Sequence, residues 1–197
     1  MKEFPLIVPE HLHGPTRLDA KNETNIPKEE RKMTLNTLHD VYHDQLQDMY
    51  SACKQSLVAT TELGRAASDK TLSEALISGT NGISEGLDKL KSLCATHDID
   101  PEGAHCKGME GLAREARAHG IEQNFGDDAV RDAMIITQYQ RMVHYALAGY
   151  GSLAAFANRL DLDEDGAILK AMLDETYDGD RHMTDIAMNH GVNEKAA

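Results

Sequence analysis

The six residues Asp161-Leu-Asp163-Glu-Asp165-Gly166 open like a calcium-binding loop, in which alternate carboxylates and a glycine turn surround the ion. Such a loop needs a bidentate Glu at its twelfth position, and here that position is Met172. The stretch Leu169 to Leu173 also reads as helix, so the acids are expected to cap the last helix, where negative charge is favoured. Calcium is not expected. Cys94, His97, His105 and Cys106 have the ligand types for tetrahedral zinc, but their spacing matches no common zinc module. His105 and Cys106 are adjacent and can hardly point the same way, so burial of both cysteines within helices is expected.

The remaining histidines offer weaker chemistry. His39 and His43 stand one helical turn apart with Asp40 and Asp44, a pattern that a solvated face explains as well as a metal does. His11 and His13 would need a partner to complete any site. His144, between Val143 and Tyr145, is expected to be a core histidine with satisfied nitrogens. Asp174, Glu175, Asp178 and Asp180 supply carboxylates late in the chain, and helical geometry sends at least two of them to solvent. No Ser-His-Asp order, phosphate-cradling loop or dinucleotide fingerprint is present. Gly149 and Gly151 fall inside a helical pattern, where they permit close helix contact.

These residues must be held by helices. From Asp127 to Leu160 the only full charge between Asp132 and Arg159 is Arg141, and no proline intervenes. A segment this apolar is expected to be a helix buried on most sides, capped by Asp127, while its Gln, Arg, His and Asn residues rule out a membrane span. A first helix is expected from Thr34 as cap, on the stripe Leu35, Leu38, Tyr42, Leu46, Met49, Cys53, Leu57, Thr60 and Leu63. A second starts near Lys70 and ends at Asp98 to Pro101, with Leu72, Leu76, Gly79, Ile83, Leu87, Leu90 and Cys94 on one stripe. A shorter helix covers Cys106 to His119, stopped by Gly120, and the last runs from about Glu164 to His190. Residues 1–32 hold four of the five prolines and no period, so they read as an extended N-terminal arm. The expected fold is all-α: an antiparallel four-helix bundle with one additional short helix over 33–197.

Composition agrees. Aromatics make up 5% of the 197 residues and Trp is absent, while Met is frequent, as suits helix on helix. A net charge of −13 argues against nucleic acid and against anionic membrane as partners. Three widely spaced cysteines and no signal peptide point to the cytoplasm.

Several segments are similar to one known family. Tyr50-Ser-Ala-Cys53-Lys-Gln55, Cys106-Lys-Gly-Met109-Glu-Gly-Leu112, Val130-Arg-Asp-Ala133, Gln140-Arg-Met-Val143-His-Tyr145, Ala148-Gly-Tyr-Gly-Ser-Leu153, Leu173-Asp-Glu175 and Thr184-Asp-Ile-Ala187 together resemble the YciE/YciF family of stress-associated ferritin-like proteins. The likeness spans about residues 33 to 197. It implies a ferritin-like bundle, a homodimer and a link to stress. It also implies carboxylates and Glu-x-x-His pairs around two metals, and there the chain departs. Cys53 replaces a Glu, Ser78-Gly79-Thr80-Asn81 replaces a Glu-rich run, Val143 and Ala146 replace two further acids, and the last run shrinks to Asp174-Glu175-Thr176 with Asp180 kept.

The resulting expectation is a non-catalytic bundle whose metal site has become packed core around Met49, Cys53, Ile83, Val143 and Leu147, with no cofactor. The alternative is a remodelled site for iron, manganese or zinc, with His144, Glu175 and Asp178 as ligands supported by Cys53 and Asn81. A third reading keeps the vacated centre as a pocket for a small apolar ligand.

Overall fold

The computed structural model describes residues 34–189. The proposed arm, His11, His13 and the stop at Gly191 lie outside these residues. Within them the chain forms α1 (Leu38–Ala66), α2 (Lys70–Thr96), the short α3 (Lys107–Arg117) running on through a π-helical turn (Ala118–Glu122), α4 (Asp128–Arg159) and α5 (Asp163–Asn189). No strand occurs among the described residues. The fold is an all-α bundle of four long helices and one short one.

Local chemistry sets the helix ends. The cap of α1 is Thr37, three residues beyond the expected Thr34. Thr37 Oγ1 accepts from Asp40 N at 3.1 Å while Asp40 Oδ2 accepts from Thr37 N at 2.9 Å, a reciprocal box that Thr34 cannot form. Leu35 consequently lies outside the helix and is 42% exposed. Asp127 caps α4 as expected, accepting from Ala129 N at 2.7 Å. α2 and α4 both end in a Schellman turn: Ile99 N bonds Cys94 O, and Leu162 N bonds Ala157 O. The left-handed residue in each turn is an aspartate, Asp98 at φ 53° and Asp161 at φ 58°.

α1 pairs with α2, α4 pairs with α5, and the two hairpins pack with α1 on α4 and α2 on α5. Tyr145 meets Asp48 at one end while Asp132 meets Ser68 at the other, so α1 and α4 run antiparallel. α2 and α4 therefore point the same way, and α3 carries the chain back between them. It starts at Cys106, beside Ser51, and its π turn brings Gly120 against Leu63. One such crossover is the connectivity that distinguishes ferritin-like bundles from simple up-and-down ones.

α4 is buried on one face and not on most sides. Ile135, Met142, Tyr150, Leu153 and Ala157 point inward, whereas Thr137, Arg141, His144, Ala148, Ser152 and Ala155 are exposed. Apart from Arg141 and His144 its outward stripe is built of small residues, which is why the segment looks so nearly uniformly apolar. Among the described residues no helix is long and apolar enough to cross a membrane. Two apolar clusters fill the bundle. One holds Leu63, Leu72, Leu76, Ile135 and Ile186; the other, toward the start of α1, holds Tyr42, Leu46, Leu90, Leu153 and Leu169.

Candidate functional site: a glycine-lined cavity at the bundle centre

Where the two clusters meet, the bundle is hollowed by a cavity of about 210 Å³ that opens to solvent at the α2–α5 seam. The middle of α1 contributes Cys53, that of α4 Val143 and Ala146, and that of α5 Met172, Glu175 and Thr176. α2 lines it with Gly79, Gly82, Ile83 and Gly86, and Gly179 of α5 faces them. The expected packed centre is thus only half realised. Met49 and Leu147 are buried in the core, while Ile83 and Val143 are half-buried and border open space.

The four cavity glycines are not close-contact glycines. A Cβ placed at Gly86 would come no nearer than 3.5 Å to another atom, at Gly79 3.8 Å, at Gly179 3.9 Å, and at Gly82 it would meet nothing within 4 Å. Gly149 is the opposite case, as its sequence context suggested: a Cβ there would run into the Met49 thioether. Gly151, its expected companion, has ordinary room, with Leu173 Cδ2 at 4.0 Å.

Polar atoms on the cavity wall are few and mostly engaged. Cys53 Sγ and the Tyr150 hydroxyl share a hydrogen bond of 3.0 Å. Burial pushes the Cys53 thiol up to about 11 against the pull of that bond, so it stays protonated at neutral pH. Burial, then the nearby Cys53, raises the Tyr150 hydroxyl as well. Glu175 is 61% exposed and holds Lys89 at 3.0 Å across the α2–α5 seam. Tyr139 differs: its hydroxyl stands between Gly79 and Gly179 and makes no hydrogen bond among the described residues.

The sequence candidates disperse. His144 is no core histidine: its side chain is 64% exposed and its Nε2 pairs with Asp180 at 3.2 Å. Val143 and Tyr145 flank it in sequence but lie on other faces of the helix. Asp178 is exposed and pairs with Arg181, and Asn81 is exposed. His144, Glu175 and Asp178 therefore do not converge, and no three His, Cys, Asp or Glu residues among those described are placed to hold a metal ion. Cys94 and Cys106 are both free and buried, in different clusters, but only Cys94 lies within a helix, since Cys106 is the N-cap of α3. His105 sits outside with Glu110. The acids of Asp161–Gly166 open α5, with Asp163, Glu164 and Asp165 in its first turn.

A second polar centre was not anticipated. Asp165 is buried, accepting from the Tyr42 hydroxyl at 2.7 Å and from His97 Nε2 at 2.6 Å. His43 leaves the solvated face expected for it and packs against His97, ring centres 5.1 Å apart and planes tilted by 45°. Its Nε2 is buried without a partner among the described residues. Burial first, then the charges of His97 and His39, lower its pKa. A signal existed: Asp165, Leu169 and Met172 share a helical stripe, which marks Asp165 as an inward carboxylate.

Comparison with known proteins places the fold. The family model described as a domain of unknown function, DUF892, matches residues 37–197. The chain belongs to that family. Protein YciF of Escherichia coli (strain K12) is 35% identical over 167 residues, covering 83% of this chain and 98% of YciF. The crystal structure of that stress protein superposes with a TM-score of 0.74 at 33% identity, covering 79% of this chain and 97% of the other. YcfI, described as a putative structural protein from Rhodopseudomonas palustris, gives 0.71 at 28% identity over 76% and 94% of the two chains. The family resemblance drawn from sequence is thereby established.

Cys53, Gly79, Val143, Ala146 and Thr176, the positions at which the family resemblance leads one to expect carboxylates, all border the cavity. They do not fit a pair of hard cations. Such a pair needs several anionic oxygens, and the wall offers one carboxylate, already tied to Lys89, and a protonated thiol.

Proposed function

We propose that this chain is a non-catalytic, metal-free member of its family, a helical-bundle protein acting through its surface and shape. The observation that carries the reading is the donor set of the centre: Cys53, Gly79, Val143, Ala146 and Thr176 on the wall, with Glu175 turned toward Lys89. A bundle keeping a metal pair has reason to hold buried carboxylates, and without the metals each becomes an uncompensated charge. The likeness to the stress protein YciF supports a role in stress physiology, and a homodimer of 21.7 kDa chains is part of the same proposal. Three free cysteines and a charge of −13 favour a cytoplasmic protein that binds neither nucleic acid nor membrane.

Elemental analysis of protein produced with added iron, manganese and zinc tests this. Well below about one equivalent of any metal per chain is expected. A stoichiometric metal that disappears in Glu175→Ala or His144→Ala would overturn the reading. Light scattering at the mass of a single chain would overturn the dimer alone.

A further inference from the structure

We propose that the central cavity is a binding site for a small, uncharged, single-ring aromatic molecule bearing one hydroxyl, held by Tyr139. This deepens the metal-free reading and rests on it. The size is right: an apolar cavity of about 150 Å³ accepts benzene, and this one measures about 210 Å³, leaving room for a substituent.

The wall chemistry selects the class. Met142, Met172, Tyr139 and Tyr150 line the cavity, and thioether and aromatic side chains pack well on a flat aromatic. Ile83, Val143 and Ala146 complete an apolar surface. An anion would meet the Glu175 carboxylate at the cavity, and a cation would lose its hydration with no free counter-charge inside. A neutral guest is left. The Tyr139 hydroxyl, unpaired among the described residues and standing between Gly79 and Gly179, supplies the one directional contact. Burial, then the charge of Asp180, raises its pKa and so keeps it a neutral donor and acceptor.

The glycines give an independent reason. Gly79, Gly86 and Gly179 interrupt helix interiors where alanine is the better helix former, and in each case the added methyl would fit without collision. Close helix contact does not require them. Their effect is to keep space open.

The test uses the full-length protein, its metal content measured on the same sample, titrated calorimetrically with p-cresol and with toluene. The wild type is expected to bind p-cresol saturably with a Kd below about 1 mM, and toluene more weakly. Tyr139→Phe is expected to erase the difference between the two. The triple variant Gly79→Ala, Gly86→Ala, Gly179→Ala is expected to weaken p-cresol by about tenfold or more while melting no lower than wild type. A metal-free wild type that shows no saturable p-cresol binding overturns the site and leaves the metal-free reading standing. A folded triple variant that binds like wild type overturns it too. A stoichiometric metal in the sample overturns both.

Discussion

Two buried regions of this bundle handle polar groups in opposite ways. Toward the start of α1, Asp165 is enclosed but receives two fixed donors, the Tyr42 hydroxyl and His97 Nε2. At the centre no donors converge on a buried carboxylate, and the wall is mostly apolar side chains and bare glycine backbone. Asp132 repeats the first pattern: only 2% exposed, it accepts from the backbone of Ser68 and Asp69 at 2.8 and 2.7 Å and so holds the turn into α2. A buried carboxylate survives in this fold where the protein itself supplies its partners. At the centre, where the protein supplies no such partners, neutral residues predominate.

The largest effect expected from this contrast comes from removing Asp165. Asp165→Ala strands the Tyr42 hydroxyl and His97 and is expected to cost about 3 kcal/mol in chemical denaturation. Glu175→Ala, at the exposed seam of the cavity, is expected to cost less than about 1 kcal/mol. Equal losses would break the comparison.

Next come two glycines of opposite sign. Gly149→Ala forces a methyl onto Met49 and is expected to destabilise by about 1–3 kcal/mol. Gly86→Ala adds a methyl in open space and is expected to stabilise by up to about 1 kcal/mol. Thermal melts of the two variants suffice to compare them.

Acid gives a smaller and more specific effect. His43 has a lowered pKa in the folded chain, so the unfolded chain takes up its proton first as pH falls below about 6.5. Stability present above that value is therefore lost as pH drops from there through the folded pKa. His43→Phe is expected to flatten the slope of melting temperature against pH in this window; an unchanged slope would place the titration elsewhere. Smallest is the relief of left-handed backbone: Asp161→Gly is expected to add up to about 1 kcal/mol, since only glycine adopts φ 58° freely.

Much of the fold was legible because helices announce themselves locally. The start of α2 at Lys70 and the cap of α4 at Asp127 follow from nearby residues alone. The start of α1 was misplaced because two threonines compete there, and only Thr37 has an aspartate three residues on. His144 was misread because sequence neighbours on a helix are not spatial neighbours. The Tyr42–Asp165–His97 network joins residues 123 and 68 positions apart, beyond the reach of any local pattern. The cavity was half legible: Cys53, Gly79, Val143 and Ala146 could be singled out, but a glycine that lets helices touch and one that leaves a void look the same in sequence. Only the position of the neighbouring helix separates them.

The crossover through α3 has a consequence for the order of assembly. α1 with α2, and α4 with α5, are neighbours along the chain and can zip with little loop entropy to overcome. Joining the two hairpins requires closing the connection over residues 97–127, so the seam between them is expected to be made late. The cavity lies on that seam. Free volume there is expected to weigh on the rate at which the hairpins part and hardly on the rate at which each forms. Stopped-flow comparison of wild type with Gly86→Ala should show slower unfolding and an unchanged folding limb.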